Sequence, residues 1–498
     1  MAEQPQGKAG PARSEASNTM TLPEDARPIG LLPPTFDADY VAGAVAPFFL
    51  SSSYIGETPS LPMIDLALSK EKAVPIQLWG MLYDGWMPNM EKDGLSVFMQ
   101  GYENRGPNNE RKKIYMSATT PDLVATKYRD KIIRFFDQFF ADANVGKPLM
   151  REYYAIYFDL YWDLHLGVTG DAVSPEVRQF GSSFNAVLGF VFPTLEVVRE
   201  HYMRVRELRQ PLKDWIDARV QAVLDGTVPN GDQTFVHYWL KNGGLGENFR
   251  REDIVFECFH NFLALSQWGN TVYNVMARLE AVHGDPVVKS WFERTMANGP
   301  DQADDSAFTP LDRFVMELFR TISPNAGSLS TMQRRRQLLG SDYSSILTPH
   351  LATSQDPRHW RNPEEFDPDR YKAAPTSVDN DETKCKEVGL ARCPFSKESF
   401  AVKDGRKVEM TNSAFGAVYP VVDGTAYPVC DTAGYAPFGF GYRRCPGEHL
   451  TVEFIKEMLR KTWKDRISFV TLDLKTPEKL PVGFGTVIND HIAFTRAK

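Results

Sequence analysis

The most constraining stretch of this sequence is "PFGFGYRRCPGEHL", residues 437–450, which sets Cys445 among three glycines just before a helical pattern. Pro446 suits the first turn of a helix, where its missing N–H would be unpaired anyway. From Leu450 onward, apolar residues recur at every fourth position, as on one face of a helix. Because a helix N-terminus carries partial positive charge, it stabilises a thiolate. The loop therefore predicts a reactive or metal-binding sulfur at Cys445.

The composition limits the classes of protein to which the chain can belong. Its 498 residues are 42% hydrophobic, which is enough for a substantial core. The net charge of −8 argues against a general affinity for nucleic acid, which needs clustered positive charge. Five cysteines are too few for a disulfide framework, and they favour a reducing compartment. We interpret the cysteines other than Cys445 as free thiols: Cys258, Cys385, Cys393 and Cys430.

Two polar regions differ from the rest of the chain. Residues 1–27 are rich in Pro, Ala, Gly and Ser, and they predict a disordered tail before a folded part at 28–498. Residues 372–433 lack sustained periodicity and predict a long surface excursion, with a hairpin towards its end. No stretch reaches the roughly 18 apolar residues of a membrane span. We therefore expect a soluble, cytoplasmic protein without a transmembrane anchor, and a peripheral membrane contact stays open.

The hydrophobic periodicity predicts a mainly helical fold with a minor sheet component. Between 121 and 279 the pattern is mostly helical, and the longest candidate helix starts near Arg251. Its middle is apolar nearly all round, as expected of a helix through the centre of a large domain. Gly284, Asp285 and Pro286 are its predicted stop. The clearest strand candidates, "GAVYPVV" and "ISFVTLDL", come late in the chain.

Three motifs, in order along the chain, resemble those of the cytochrome P-450 (haem-thiolate) superfamily. Glu317 and Arg320 resemble its E-x-x-R pair, and "WRNPEEFDPDRY", which ends in Arg370 and a tyrosine, resembles its W-x-x-P-x-x-F-x-P-x-R-[FY] segment. The cysteine loop matches the family pattern F-x-x-G-x-R-x-C-x-G at five positions: Phe438, Gly441, Arg443, Cys445 and Gly447.

This resemblance implies one large haem domain over residues 28–498, with a long central helix over a haem b group and a proximal cysteine loop. Cys445 would be the thiolate ligand of the iron, and Glu317, Arg320 and Arg370 would form a buried supporting cluster. Arg443 is the first candidate to bind a haem propionate. Arg111 and Lys112 are further candidates, because "NNERKKIYM" resembles the family's third helix. The segment 372–433 would be an atypical insertion on the proximal side, where an electron donor docks.

The oxygen side of the haem corresponds to "LSQWGNTVYN" in the central helix. Thr271 stands for the alcohol of the family's acid–alcohol pair, but Asn270 replaces the acid, and an amide cannot shuttle protons as a carboxylate can. Gly269 indicates either space for dioxygen or substrate, or close helix packing. Ser266 is a third candidate catalytic residue. By position alone, three side chains are candidates for the pocket wall: Phe262, Leu265 and Trp268.

Two subgroups share features of this stretch. With one extra residue, "SQWGNT" resembles the Ser-Gln-x-Asn-Thr segment of the sterol 7α-hydroxylase and prostacyclin synthase branch. Trp268 and Gly269 resemble part of a motif in plant allene oxide synthases and hydroperoxide lyases. Both branches include enzymes that rearrange a peroxide already present in the substrate.

The resemblance implies a monooxygenase that inserts one atom of dioxygen into a hydrophobic small molecule, with electrons from a separate ferredoxin or reductase. The first alternative is an isomerase, lyase or peroxygenase that consumes a fatty-acid-like hydroperoxide and needs no reductant. The second alternative is a thiolate-haem sensor without catalytic activity.

Overall fold

The structure is a computed structural model, and it describes most of the chain between 114 and 496. The described residues are 60–61, 111, 114–189, 195–302, 304, 308–322, 327–338, 341–349, 354–355, 361–372, 402–403, 406–407, 421–422, 425–426, 437–438, 445, 447–483 and 486–496. The predicted tail at 1–27 and most of the polar segment 372–433 lie outside these residues.

Nine helices carry most of the described chain, and α1 is preceded by a short helix and one π-helical segment, Val124–Tyr128. Their bounds are α1 Arg129–Phe139, α2 Leu149–Leu166, α3 Pro175–Gly189, α4 Leu195–Leu224, α5 Phe235–Lys241, α6 Arg251–Leu279, α7 Pro286–Ala297, α8 Pro310–Ile322 and α9 Glu448–Lys464.

The described strands are mostly short and pair antiparallel. Their bounds are β1 Ser60–Leu61, β2 Gly327–Leu338, β3 Ser341–Pro349, β4 Val402–Lys403, β5 Arg406–Lys407, β6 Val421–Val422, β7 Thr425–Ala426, β8 Ile467–Thr471, β9 Glu478–Gly483, β10 Thr486–Asp490 and β11 Ile492–Arg496. One sheet has the order β1-β2-β3, and the remaining strands form the pairs β4-β5, β6-β7, β8-β11 and β9-β10.

The mainly helical fold with minor sheets is confirmed. "ISFVT" within the predicted strand "ISFVTLDL" forms β8, which pairs with β11. Within the polar segment, the structure describes two short hairpins, β4-β5 and β6-β7, in agreement with the hairpin predicted there. Of "GAVYPVV", only its last two residues are described, as β6.

The central helix α6 ends earlier than the sequence predicts. It stops at Leu279 rather than at Gly284. The carboxylate of Glu280 accepts the backbone N–H groups of Val282, His283 and, from β8, Thr471. These three bonds turn the chain out of the helix, and Asp285 then caps the N-terminus of α7. Gly284 and Pro286 therefore lie in the connection and in the first turn of α7.

Aromatic side chains fill the core between α1, α2, α6 and α9. The ring of Phe454 in α9 lies 4.7 Å from that of Phe136 in α1 and 4.2 Å from that of Trp268 in α6, centroid to centroid. On the other side of α6, Phe262 stacks on Tyr161 of α2 at 4.3 Å. The central helix is thus held between α2 and the helix that follows the cysteine loop. In the described part of the chain, no helix combines the length and apolar character needed to cross a bilayer.

Candidate functional site

The cysteine loop is closed by a backbone hydrogen bond between its two ends. The N–H of Cys445 donates to the carbonyl of Phe438 at 2.8 Å. Gly447 is the N-cap of α9, so Cys445 stands two residues before the cap. A Cβ built on Gly447 would lie 3.7 Å from the Cys445 Sγ, in van der Waals contact with it. The sulfur thus lies at the start of a helix, beside a position without a side chain.

The loop is also anchored to α8. The ring of Phe438 is buried and packs against Phe319 with 5.0 Å between the centroids. Phe319 is two residues from Glu317 on the same helix, so the first residue of the loop contacts the helix that bears the E-x-x-R pair.

The two described cysteines lie in different environments. Cys258 in α6 is fully buried, and burial raises the pKa of its thiol well above the ordinary value, with the nearby charge of Glu257 as a second cause. It therefore stays a neutral thiol. Cys445 is half-buried and forms no disulfide. Of these two residues, Cys445 is the more exposed.

Glu317 and Arg320 form a bidentate ion pair on α8, and both side chains are fully buried. Arg320 donates through Nε to Glu317 Oε2 and through Nη2 to Oε1, both at 2.8 Å. The guanidinium also donates to three backbone carbonyls, those of Ser354, Pro363 and Glu365. Because the charges are paired and their remaining donors are used, burial of this pair is tolerated.

The segment 361–371 completes the cluster around the Glu317 carboxylate. Arg370 Nε donates to Glu317 Oε1 at 3.0 Å, and the backbone N–H of Asp367 donates to the same oxygen at 2.9 Å. The Tyr371 hydroxyl donates to Oε2 at 2.9 Å. The carboxylate thus accepts five hydrogen bonds, and it joins α8 to the "FDPDRY" stretch.

On α6, the two candidates for the oxygen side lie buried next to each other. The Asn274 Nδ2 donates to both the backbone carbonyl and the Oδ1 of Asn270, each at 2.8 Å. The Thr271 hydroxyl donates to the Gln267 carbonyl one turn earlier, at a long 3.4 Å. The hydroxyl of Thr271 is therefore weakly held, whereas the amide oxygen of Asn270 is well bound.

Gly269 marks a close approach of two helices. A Cβ at this position would lie 2.6 Å from the Tyr154 hydroxyl oxygen and 3.3 Å from the ring of Tyr153, both in α2. The space beside the glycine is therefore filled by tyrosine side chains. Of the two interpretations of Gly269, close packing is the one that the structure shows.

A buried polar chain crosses α6 at Asn261, nearly three turns before Thr271. The Tyr115 hydroxyl donates to Asn261 Oδ1 at 2.8 Å, and Asn261 Nδ2 lies 2.9 Å from His165 Nε2. His165 Nδ1 lies 2.9 Å from the Tyr161 carbonyl, so Nδ1 carries the proton and Nε2 accepts. Burial lowers the pKa of His165 to about 3, which keeps the ring neutral. Burial raises the pKa of Tyr115, and the nearby Glu257 and Cys445 act in the same direction.

Neither a family model nor a curated protein matches this sequence. Solved structures do match its fold. A retinoic acid-bound cyanobacterial CYP120A1 is 14% identical, with a TM-score of 0.54, and the alignment covers 85% of this chain and 84% of the other. The cytochrome P450EX alpha (CYP152N1) with myristic acid is 14% identical, with a TM-score of 0.52 and coverage of 84% and 83%. A mutant of the cytochrome P450SP alpha (CYP152B1) is 12% identical, with a TM-score of 0.53 and coverage of 83% and 86%.

The chain has the cytochrome P450 fold. The likeness to the first two of these structures extends over more than four fifths of its length. The fold that the three motifs imply is therefore confirmed.

Within this P450 fold, the structure brings some of the predicted site residues together. Glu317, Arg320 and Arg370 share one cluster, and Phe438, Cys445 and Gly447 lie in one loop. Arg111 pairs with Asp253 of α6: its Nη2 lies 3.1 Å from Asp253 Oδ1, and its Nε donates to the Asn248 carbonyl. Phe262 and Trp268 pack against α2 and α9 respectively. The remaining candidates lie outside the described residues or side chains: Lys112, Gly441, Arg443, Leu265 and Ser266.

Sequence reasoning missed two residues that hold the candidate site together. Tyr371 contributes a hydroxyl to the Glu317 cluster, and its place directly after Arg370 was the available signal. Thr451 accepts the indole N–H of Trp268, and no signal in the sequence pairs two residues 183 positions apart.

A surface groove of about 590 Å³ lies between α1 and α2. The charged side chains that line it already have partners: Lys131 with Asp163, and Asp137 with Lys461. We assign no ligand to this groove.

Proposed function

We propose that the chain is a haem-thiolate oxidoreductase in which Cys445 binds the iron of haem b. The observation that carries this proposal is the accessible Cys445 at the start of α9, in a loop anchored to the helix of the buried Glu317–Arg320 pair. The residues around Cys445 also suit a haem ligand. A half-buried sulfur, a neighbouring glycine and a helix N-terminus favour one thiolate ligand. Cys258, buried and neutral, does not compete for this role.

When bound, a thiolate-ligated haem supplies activation of an O–O bond, because the thiolate donates electron density to the iron. The chain's own residues would exclude water, orient the substrate and move protons. The Glu317 cluster would keep the proximal side rigid, because its five hydrogen bonds tie α8 to residues 361–371. Arg443, from the sequence motif, is the proposed partner of a haem propionate.

The first mode that we propose is monooxygenation of a hydrophobic small molecule, with electrons from a separate ferredoxin or reductase. The Thr271 hydroxyl, held by a long bond to Gln267, would turn to hold a water molecule. Protons would reach the site through that water, since the amide of Asn270 does not ionise. Two of the similar structures hold lipophilic carboxylic acids, retinoic acid and myristic acid, and these are the first substrates to test.

The second mode is the reductant-independent conversion of a hydroperoxide, and the Asn270 side chain favours it. An amide does not ionise, so the position next to Thr271 offers no acid for a proton relay, and the amide oxygen already accepts an N–H of Asn274. A hydroperoxide needs no such relay, because its O–O bond is already formed. Ser266 and Asn270 would then hold the peroxide.

Ligand assignment is tested first by spectroscopy. Purified, reduced protein is exposed to carbon monoxide, and the Soret band is compared for the wild type, Cys445→Ser and the matched control Cys258→Ser. We expect the long-wavelength band of thiolate ligation in the wild type and in Cys258→Ser only. If Cys445→Ser keeps this band, the haem-thiolate proposal fails.

The two modes are separated by isotope labelling. The protein is given a fatty acid with ¹⁸O₂, NADPH and a reductase, or the corresponding unlabelled hydroperoxide without reductant, and products are analysed by mass spectrometry. Labelled product in the first reaction alone supports the monooxygenase. Fast product formation in the second alone supports the hydroperoxide enzyme. No turnover in either, with a thiolate spectrum, supports the sensor.

A further inference from the structure

One chain of hydrogen bonds connects the central helix to the cysteine loop. The indole N–H of Trp268 in α6 donates to Thr451 Oγ1 in α9 at 2.9 Å. The Thr451 hydroxyl in turn donates to the Gly447 carbonyl, also at 2.9 Å. The same carbonyl accepts the backbone N–H of Thr451 at 2.9 Å. Two residues that sequence reasoning did not pair thus meet at the base of the loop.

The direction of each bond in this chain is fixed. An indole nitrogen only donates, so the Thr451 oxygen must accept from it. The single proton of the hydroxyl is then left for the Gly447 carbonyl. Because each group uses its capacity in one way, neither Trp268 nor Thr451 can rotate without leaving a buried polar group unpaired.

Packing holds the indole in this orientation. The ring of Trp268 stacks on Phe454, one turn further along α9 than Thr451, with 4.2 Å between the centroids and 23° between the planes. Trp268 is 3% exposed and Thr451 is 7% exposed. A stacked, buried aromatic ring with a hydrogen-bonded N–H has little freedom to move.

The hydrogen-bond chain runs from the part of α6 that bears Thr271 to the loop that bears Cys445. Gly447 is two residues from Cys445, and a Cβ on it would lie 3.7 Å from the sulfur. Trp268 is three residues before Thr271, so both side chains lie on the same side of α6. The position of the loop backbone and that of the oxygen-side segment are therefore linked through one indole.

We propose that Trp268 and Thr451 are positioning residues that fix the Gly447 carbonyl, and with it the loop backbone that carries Cys445, against α6. This inference rests on the proposed haem-thiolate function. It assigns to Trp268 a role in holding the thiolate loop in place of a role in the substrate pocket. Loss of the pair lets the loop backbone relax, so the sulfur leaves the iron more easily.

The test follows the ferrous carbon monoxide spectrum of the holoenzyme in mild denaturant. The ratio between the long-wavelength thiolate band and the short-wavelength band of lost thiolate ligation is measured for the wild type, Trp268→Phe, Thr451→Val, Thr451→Ser and the double variant. We expect Trp268→Phe and Thr451→Val each to lower the ratio about fivefold, the factor that corresponds to one hydrogen bond. Thr451→Ser keeps the hydroxyl and should retain the wild-type ratio. The double variant should fall no further than the lower single variant, because both remove one shared chain.

Thr462→Val is the matched control. Thr462 lies on the same helix, is buried and donates its hydroxyl to the carbonyl four residues earlier, that of Met458, at 2.8 Å. It is far along α9 from the loop, so its loss should leave the band ratio unchanged. Thermal unfolding of each variant separates a loss of fold from a shift in ligation.

The outcomes separate the two proposals. A wild type without the thiolate band contradicts the haem-thiolate function itself. A wild type with the band, and a Thr451→Val variant with the wild-type ratio, overturns only the positioning role. A drop of equal size in Thr462→Val also overturns it, because the effect would then belong to α9 as a whole.

Discussion

Glu317 and Arg320 are joined by two hydrogen bonds of 2.8 Å, and neither side chain is exposed to solvent. An ion pair taken wholly out of water is stable only while both partners and their remaining bonds are present. Substitution of either partner should therefore cost more stability than the same substitution in an ion pair on the surface.

Glu317→Gln should lower the free energy of unfolding by about 3 kcal/mol or more, since it leaves the buried Arg320 without a counter-charge. Guanidinium titration followed by tryptophan fluorescence measures the change. Glu365→Gln is the control, because Glu365 is exposed on the adjoining segment. Equal stability of the two variants would contradict a buried charge pair.

Tyr371→Phe should have a smaller effect than Glu317→Gln. It removes one of five hydrogen bonds to the carboxylate and leaves the charges paired, so we expect a loss of about 1 kcal/mol. The same denaturation experiment measures it. A loss as large as that of Glu317→Gln would show that the hydroxyl has a further role.

Gly269→Ala should destabilise the protein, although alanine is favoured over glycine inside a helix by about 1 kcal/mol. The reason is the Tyr154 hydroxyl oxygen, which would lie 2.6 Å from the new Cβ. Tyr154→Phe removes this oxygen. The Tyr154 hydroxyl has no hydrogen-bond partner among the described residues, so its removal breaks no hydrogen bond there. The double variant should therefore recover much of the loss. If Gly269→Ala alone is more stable than the wild type, the close approach of α2 and α6 is wrong.

The free energy of unfolding should decrease as the pH is lowered below about 6.5. Burial lowers the pKa of His165 and of His260 to about 3 each, from an ordinary value of 6.5. Between these pH values the unfolded chain takes up a proton at each histidine and the folded chain does not. Each residue then lowers the free energy of unfolding by up to about 1.4 kcal/mol per pH unit, and the contribution is fully present above pH 6.5.

The measurement is the slope of the unfolding free energy against pH between 6.5 and about 5, above the range of most carboxylates. His165→Gln should reduce this slope by about 1.4 kcal/mol per pH unit, which corresponds to the uptake of one proton on unfolding. His283→Gln, at an exposed position, is the control. An unchanged slope in His165→Gln would rule out a neutral, buried imidazole at this position.

Thiol labelling should distinguish the two described cysteines without any assay of activity. In the haem-free protein, iodoacetamide should modify Cys445 long before Cys258, whose thiol is buried and has a raised pKa. Haem loading should protect Cys445. Peptide mass spectrometry reports each site separately, and equal labelling of Cys445 with and without haem would contradict ligation by its sulfur.

The sequence predicted those features that depend on short-range pattern. The E-x-x-R spacing places a carboxylate and a guanidinium on one helix face, and the buried pair on α8 has this geometry. Apolar residues all round α6 predicted a central helix, which the structure shows. The predicted end of α6 was wrong, because the carboxylate of Glu280 accepts the backbone N–H of a strand residue, Thr471, that is 191 positions away.

Contacts between distant segments were beyond sequence reasoning. The glycine at 269 is equally consistent with an oxygen groove and with a helix crossing, and only the position of Tyr154 in α2 decides between them. Likewise, the partner of the Trp268 indole depends on how α6 and α9 are rotated against each other. No periodicity in a single chain encodes that rotation.

The bond from the Cys445 amide to the Phe438 carbonyl turns residues 438–445 into a ring of fixed circumference. Inserting or deleting one residue inside this ring would displace the sulfur, whereas extra residues before Pro437 would leave its size unchanged. Among related sequences, insertions and deletions should therefore occur before Pro437 and not within residues 438–445. The polar segment 372–433 of this chain precedes Pro437, where added residues would leave the ring unchanged.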